Sequence, residues 1–238
     1  MAMNVYAAIL AGGSGTRMGN VDKPKQFQML GGKPIIIHTI EKFCASGKFD
    51  AVVVLSPAEW VRQTSDLIAK HCGEYAEQIR VTAGGARRSD TVNNAIAYVQ
   101  DNFATDADTV LVTHDAVRPF VSYRMIEDNI AAAREFGACD TVIPATDTIV
   151  ESLDGSAIST IPERRNLYQG QTPQSFNLAK LAELVGGLSE EESASLTDAC
   201  KVFVLRGETV ALVDGDASNM KITYPQDLRV ARAMMADE

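Results

Sequence analysis

The first 140 residues alternate short, unbroken apolar runs with longer stretches in which apolar residues recur every three or four positions. The short runs are rich in β-branched residues, which is typical of strands buried on both faces, and the longer stretches predict amphipathic helices. The predicted strands are Val5–Leu10, Ala51–Leu55, Ile79–Thr82 and Thr109–Val112. The predicted helices are Ile35–Cys44, Ala58–His71, Thr91–Asn102 and Met125–Phe136. This alternation predicts βαβ units and a mainly parallel sheet.

The pattern changes beyond Cys139. Two extended segments, Asp140–Glu151 and Ala157–Ile161, flank the turn-forming pair Asp154-Gly155, which predicts a β-hairpin arm at about residues 144–172. The remaining predicted elements are a loop Tyr168–Pro173, helices Leu178–Val185 and Asp198–Leu205, a strand Val210–Val213 and a last helix Gln226–Met235. We therefore expect a single α/β domain over residues 1–238, with a Rossmann-like, mainly parallel twisted sheet flanked by helices and an inserted hairpin arm.

The composition limits the partners. The chain of 238 residues has a formal net charge of −9 and a pI near 4.9, whereas binding to nucleic acid or a membrane surface needs a basic face, so we expect neither partner. The N-terminal stretch lacks the basic region of a signal peptide, so a cytoplasmic location is expected. The four cysteines form no C-x-x-C pair and are expected to be buried and reduced.

A glycine-rich loop follows the first predicted strand and reads Leu10-Ala11-Gly12-Gly13-Ser14-Gly15-Thr16-Arg17-Met18-Gly19. Glycines after a strand let backbone N–H groups approach a phosphate. The loop lacks the G-K-[ST] of a Walker A motif and the third glycine of G-x-G-x-x-G, and no acidic ribose ligand follows the second strand. The first absence excludes a Walker A loop, and the other two exclude the common dinucleotide oxidoreductases. Arg17 and Lys25 supply cations that suit attack at the α-phosphorus of a triphosphate.

The string L-A-G-G-x-G-T-R-M-G, followed by P-K-Q-F, resembles the sugar-phosphate nucleotidyltransferases. Within them the chain is similar, from residue 5 to about residue 232, to the cytidylyltransferases that act on methylerythritol phosphate or ribitol phosphate. The resemblance implies that Arg17 and Lys25 are catalytic. The CTP-binding residues that it implies are Leu10, Ala11, Gly12, Gly13, Gly15, Gly84, Gly85, Arg88, Thr91 and Asp115.

Two further segments after predicted strands match this family. In Gly84–Val92, a Gly-Gly turn opens a helix, and the resemblance implies a contact with cytosine and ribose, although Ala86 stands where the methylerythritol enzymes tend to carry Asp. At the end of the fourth strand the resemblance assigns Asp115 to Mg²⁺, or another divalent cation, which prefers one or two carboxylates plus phosphates. From the residues alone, Asp115 could instead be a helix cap or the partner of Arg118.

The acceptor site is implied by the resemblance alone. It assigns Thr148, Arg164, Thr172 and Lys221 to the acceptor phosphate. In homodimers of the family the arm enters the neighbouring subunit, so Arg164 is expected to complete the partner's site. Ser218 stands where the methylerythritol enzymes often have an acidic metal ligand, a role that nearby Asp216 could take.

Three strings resemble the ribitol-phosphate group more than the methylerythritol group. They are H-D-A-V-R-P-F, Y-Q-G-Q-T-P-Q-S-F and L-T-D-A-C-K, in place of H-D-A-A-R-P, L-T-P-Q and T-D-E-A. The expected activity is thus transfer of a cytidylyl group from CTP to D-ribitol 5-phosphate. The open alternatives are 2-C-methyl-D-erythritol 4-phosphate as the acceptor and, from another class, a non-catalytic nucleotide-binding protein.

Overall fold

The computed structural model describes residues 4–12, 18, 23–196 and 198–236. Its strands are β1 Val5–Leu10, β2 Met29–Leu30, β3 Lys33–Pro34, β4 Ala51–Ser56, β5 Ile79–Ala83, β6 Val110–Asp115, β7 Ala138–Pro144, β8 Tyr168–Asn177 and β9 Ala211–Asp214. Its helices are α1 Ile35–Ala45, α2 Val61–His71, α3 Arg88–Asn102, α4 Tyr123–Phe136, α5 Leu178–Gly186, α6 Glu190–Ser195, α7 Cys200–Leu205 and α8 Pro225–Ala236. Among the described residues, no helix has the length and apolar character needed to cross a membrane.

Seven strands form one sheet in the order β5-β4-β1-β6-β8-β7-β9. β8 runs antiparallel to both of its neighbours, while the remaining pairs are parallel. The side chains of β1 alternate between two apolar cores, with Val5, Ala7 and Ile9 in one and Tyr6, Ala8 and Leu10 in the other. Burial on both faces explains why this strand reads as an unbroken apolar run, and the predicted α/β fold with a mainly parallel sheet is confirmed.

Two of the predicted strands, β5 and β6, differ from expectation in their surroundings or bounds. β5 was expected to be buried on both faces, but it is the edge strand of the sheet, and Arg80 is exposed. The fourth strand, β6, continues beyond Val112 to Asp115, with every residue buried. Polar residues at its end hid this extension, because an apolar run marks only the part of a strand that packs in the core.

The arm differs from a regular hairpin. Tyr168–Pro173 was predicted as a loop, but it is the first half of β8 and pairs in part with β7. Beyond this ladder, residues 145–167 contain one isolated antiparallel bridge, between Glu151 and Thr160. The predicted turn is present, since the Asp154 carboxylate accepts hydrogen bonds from the backbone N–H groups of Ser156 and Ala157. The arm is therefore paired at its base, where the register of β7 and β8 shifts between Asp140 and Val142, and is irregular over residues 145–167.

Candidate active site

A cleft of about 330 Å³ lies where the carboxyl ends of β1 and β6 meet. Parallel strands gather their following loops at this edge, which is where ligands bind in open α/β sheets. Leu10 and Asp115 are paired across β1 and β6, so the beginning of the glycine-rich loop lies beside Asp115. The described lining residues are Leu10, Ala11, Gly12, Lys25, Gln26, Gly85, Ala86, Arg87, Arg88, Thr91, Asp115, Ala116, Val117 and Lys221.

Asp115 lies at the centre of a group of cations. Its Oδ1 accepts a hydrogen bond from Arg88 Nη1 at 2.7 Å, and its Oδ2 lies 3.2 Å from Arg118 Nε and 3.0 Å from Lys221 Nζ. Burial alone would raise the pKa of Asp115, but Arg88, Lys221 and Arg118 hold it well below its usual range. Asp115 is therefore ionised at neutral pH.

These four side chains carry three positive charges and one negative charge. Asp115 and Arg118 are buried, whereas the Arg88 and Lys221 side chains, which carry the excess of positive charge, are 25% and 36% exposed and line the cleft. Lys25, which is also buried, lines the same cleft. A bound polyanion compensates such an excess, so the geometry and charge of the cleft suit a triphosphate.

The Gly84-Gly85 turn brings α3 against the cleft. A Cβ atom on Gly85 would lie 2.1 Å from the Asp90 Cβ atom, so no larger residue fits there. The Thr91 hydroxyl accepts a hydrogen bond from the Gly85 N–H at 3.0 Å and donates one to the Arg87 carbonyl at 3.0 Å. α3 begins at Arg88, three residues earlier than predicted, so the arginine that binds Asp115 stands in its first turn.

His114 and Thr172 connect β6 to β8 behind the cleft. The Thr172 hydroxyl accepts a hydrogen bond from the Asp115 N–H and lies 3.0 Å from His114 Nδ1, while His114 Nε2 lies 3.1 Å from the Arg118 carbonyl. Burial lowers the pKa of His114 to about 4, so its ring is neutral at pH 7. Neutral His114 donates from Nε2 to this carbonyl and accepts at Nδ1 from Thr172, which fixes the backbone on both sides of Asp115.

A second polar cluster is formed by Asp140, Gln174, Asp198 and Cys200. Gln174 Nε2 donates to Asp140 Oδ1 at 2.9 Å and to Asp198 Oδ2 at 2.6 Å, and the Cys200 N–H donates to Asp198 Oδ1 at 2.7 Å. Atoms of the two carboxylates and the thiol lie within 4.8 Å of one another, so together they could hold a metal ion. However, an amide N–H₂ group faces both carboxylates, and burial, reinforced by the charge of Asp198, raises the pKa of Asp140 to about 7. This cluster suits a proton better than a metal.

Asp140→Asn is expected to raise thermal stability at pH 8 and to change it little at pH 4. The unfolded carboxyl titrates near ~3.9, whereas the pKa of Asp140 in the fold is about 7. The folded state therefore holds the proton more tightly, and stability falls as pH rises between these values. Asparagine keeps the oxygen that accepts from Gln174 and carries no charge.

Thermal unfolding measured from pH 4 to pH 8 tests this expectation, with a gain in Tm of about 2–4 °C for each kcal/mol recovered. His114 makes stability depend on pH in the opposite direction, because its lowered pKa favours the folded state above pH ~6.5. Wild type and Asp140→Asn both contain His114, so the difference in Tm between the two proteins reports on Asp140 alone. Asp128→Asn, at an exposed ion pair with Arg124, is the matched control. A variant that is less stable than wild type at pH 8 would contradict the assignment.

The structure brings many of the predicted residues together. The cleft is lined by Leu10, Ala11, Gly12, Lys25, Gly85, Arg88, Thr91, Asp115 and Lys221. Gly84 packs beside Thr91, and Thr172 is buried behind Asp115, so neither lines the cleft. Thr148 and Arg164 are exposed on the arm, and neither is among the described residues that line the cleft of their own chain. Gly13, Gly15 and Arg17 lie outside the described residues.

One contribution, that of Gln26, was missed from the sequence. Gln26 is buried, and its Nε2 donates to the Ala11 carbonyl at 2.7 Å, which joins the P-K-Q-F segment to the glycine-rich loop. Arg118, which the sequence offered as a possible partner of Asp115, donates to Asp115 and, at 2.8 Å, to the Asn219 carbonyl. A glutamine in the middle of a matching string was the only available signal for Gln26.

A family model described as 2-C-methyl-D-erythritol 4-phosphate cytidylyltransferase matches residues 5–237. The chain belongs to this cytidylyltransferase family. A ribitol-5-phosphate cytidylyltransferase from Lactiplantibacillus plantarum is 52% identical over 231 residues, which are 97% of this chain and 98% of that protein.

Solved structures of the cytidylyltransferase family share the fold. The 2-C-methyl-D-erythritol 4-phosphate cytidylyltransferase of Francisella tularensis is 28% identical, with a TM-score of 0.80 over 97% of this chain and 99% of that one. The 4-diphosphocytidyl-2C-methyl-D-erythritol synthase of Anaerococcus prevotii is 25% identical, with a TM-score of 0.79 over 98% and 99%. The predicted family is confirmed, and the chain is a nucleotidyltransferase that transfers a cytidylyl group.

Proposed function

We propose that this enzyme transfers the cytidylyl group of CTP to D-ribitol 5-phosphate, giving CDP-ribitol and pyrophosphate. The observation that carries the proposal is the 52% identity, over almost all of both chains, to a ribitol-5-phosphate cytidylyltransferase. The solved structures of enzymes named for methylerythritol compounds reach 25–28% over a similar length. The acceptor is thus assigned by the more similar relative, while the family model supports the shared chemistry.

The charge of the cleft supports an in-line displacement at phosphorus. An oxygen of the acceptor phosphate attacks the α-phosphorus of CTP, and the bond from this phosphorus to the bridging oxygen of the β-phosphate breaks. Pyrophosphate leaves with the electron pair of that bond. We assign Lys25, together with Arg17, to stabilising the charge that grows on the equatorial oxygens. Arg88 and Lys221 already stand at the end of β6, where they can bind phosphate oxygens.

Asp115 is our candidate for the Mg²⁺ ligand. Among the described residues that line the cleft, it is the only carboxylate. A carboxylate offers about four acceptor positions, and Arg88, Arg118 and Lys221 take three of them, which leaves one for a metal. When bound, Mg²⁺ would neutralise triphosphate charge and hold its oxygens in place. The described structure offers no second carboxylate in the cleft, since Asp216 is exposed on a neighbouring loop.

The exposed arm supports a homodimer. Large apolar side chains of residues 145–167 are open to solvent, which is unusual for a lone subunit: Ile149, Val150, Leu153, Ile158 and Ile161. Arg164 Nη1 donates to the Thr146 carbonyl at 3.1 Å, so the arginine is held on the arm, and it is not among the described residues that line the cleft of its own chain. We infer that the arm packs on a second copy, where Arg164 and Thr148 complete the acceptor site. Because CTP is available in the cytoplasm, we place the activity there.

Pyrophosphate release with a panel of acceptors tests the proposal. With CTP and Mg²⁺, D-ribitol 5-phosphate is expected to give kcat/KM at least about 100-fold above that for 2-C-methyl-D-erythritol 4-phosphate, because a site built for the hydroxyls of one acceptor leaves polar groups unpaired with the other. Ribitol without the phosphate is the control and should be inactive. Turnover of methylerythritol phosphate alone would establish the alternative acceptor. Binding of CTP with no turnover of any acceptor would instead favour a non-catalytic nucleotide-binding protein.

A further inference from the structure

Lys221 lies in the segment between β9 and α8. We call residues 215–221 of this segment the lysine loop. Gln171 of β8 holds the lysine loop through hydrogen bonds. Gln171 Nε2 donates to the Asp216 carbonyl at 2.8 Å. Gln171 Oε1 accepts from Asn219 Nδ2 at 3.1 Å and from the Asp216 N–H at 3.4 Å. One buried carboxamide therefore holds both the start and the middle of the lysine loop.

A bulge in β8 frees Gln171 for these contacts. The register with β7 shifts here, since Asp140 pairs with Gln174 and Val142 with Gly170. Three residues of β8 thus stand opposite one residue of β7, and a bulge of this kind changes the direction of the side chains that it contains. The Gln171 side chain meets the lysine loop so closely that a Cβ atom on Gly215 would lie 2.6 Å from its Oε1.

Asn219 continues the connection towards the cleft. It is fully buried, and its Nδ2 also donates to the Thr172 carbonyl at 2.9 Å. The Asn219 carbonyl accepts from Arg118, which in turn donates to Asp115. Two residues further along, Lys221 Nζ lies 3.0 Å from Asp115 Oδ2. Gln171 is therefore joined by an unbroken series of hydrogen bonds to the elements that place Lys221.

We propose that Gln171 is a positioning residue that holds the lysine loop against β8 and so fixes Lys221 for the acceptor phosphate. This inference rests on the proposed function of Lys221. The contacts require a side chain that donates and accepts at once, which a carboxamide does and an aliphatic side chain of the same size does not. Without Gln171, one N–H of Asn219 and both the N–H and the carbonyl of Asp216 lose this partner, and Lys221 loses its fixed distance from Asp115.

Gln171→Leu is expected to raise KM for the acceptor at least about 10-fold, because a misplaced contact weakens binding and attack. KM for CTP should change less than about 2-fold, since the glycine-rich loop and α3 are untouched. Gln169→Leu is the matched control, because Gln169 lies on the same strand and is exposed. Gln171→Glu keeps the acceptor atoms and loses the donor, so its effect should be intermediate.

A double-variant comparison shows whether Gln171 acts through Lys221. In a Lys221→Ala background, Gln171→Leu is expected to have little further effect on KM for the acceptor. Hydrogen exchange gives a readout that does not depend on turnover. Backbone amides of residues 215–221 should exchange faster in Gln171→Leu than in wild type or Gln169→Leu.

Unchanged exchange and an unchanged KM in the folded Gln171→Leu protein would overturn the proposal. The proposal would also be overturned if the change in KM for the acceptor in the double variant equalled the product of the changes in the two single variants. If Gln171→Leu does not fold, the same measurements on Gln171→Glu decide. A wrong acceptor assignment can be told apart from a wrong role for Gln171. In the first case the wild-type enzyme would not use ribitol 5-phosphate, while hydrogen exchange would still show whether Gln171 holds the lysine loop.

Discussion

Asparagine in place of Asp115 is expected to lower kcat/KM for CTP by at least about 1000-fold. The substitution removes the only carboxylate among the described residues of the cleft, and with it our candidate metal ligand. It also places an N–H₂ group against one of the cations that now donate to Asp115, either Arg88 on one side or Arg118 and Lys221 on the other. Steady-state pyrophosphate release over a range of Mg²⁺ concentrations measures the loss.

The same substitution should destabilise the fold, since removing one partner of a buried ion cluster typically costs about 3–5 kcal/mol. Activity is therefore compared at a temperature at which circular dichroism shows the variant to be folded. Asp128→Asn is the matched control, because Asp128 pairs with exposed Arg124 on α4 and lies outside the cluster. A folded Asp115→Asn enzyme within about 10-fold of wild-type activity would show that Asp115 neither binds the metal nor organises the cations.

The sequence predicted the sheet well because its signals are local. β1 and β4 are unbroken apolar runs, and both were found within one residue of their bounds. β5 produces the same kind of run, although only Ile79 is buried, because an apolar run does not show whether a second strand covers the far side. Position in the sheet depends on pairing between distant segments, which is why the edge strand was misjudged.

The site was predicted only in part, for a related reason. Arg88, Asp115 and Lys221 were named from matching strings, but their direct contact depends on the ends of three separate elements meeting. Gln171 and Asn219 lie 48 residues apart in the chain, and no local pattern marks the hydrogen bond between them. Resemblance thus named several residues that line the cleft, whereas the buried hydrogen bonds that hold them required the structure.

The arm proposal predicts complementation between two inactive proteins. Arg164→Ala is expected to lower kcat/KM for the acceptor by about 100-fold, because a charged hydrogen bond to phosphate is lost. If the arm completes the partner's site, a heterodimer of one Arg164→Ala chain and one Asp115→Asn chain has one intact site, made of the first chain's Asp115 and the second chain's Arg164. Such a heterodimer, isolated by two different affinity tags, should show about half of the wild-type activity.

The reciprocal heterodimer distinguishes an arm that serves the partner from one that serves its own chain. It joins a wild-type chain to a chain that carries both substitutions. When the arm serves the partner, the wild-type Asp115 site receives the Arg164→Ala arm, and the other site lacks Asp115, so activity should be close to background. When the arm serves its own chain, the wild-type chain is complete and about half of the activity remains.

Each arrangement thus makes one heterodimer active and the other inactive, in opposite order, so loss of stability in either variant cannot imitate the result. The exposed apolar side chains of the arm, and the absence of Arg164 from the described residues that line its own cleft, lead us to expect activity in the first heterodimer and not in the second.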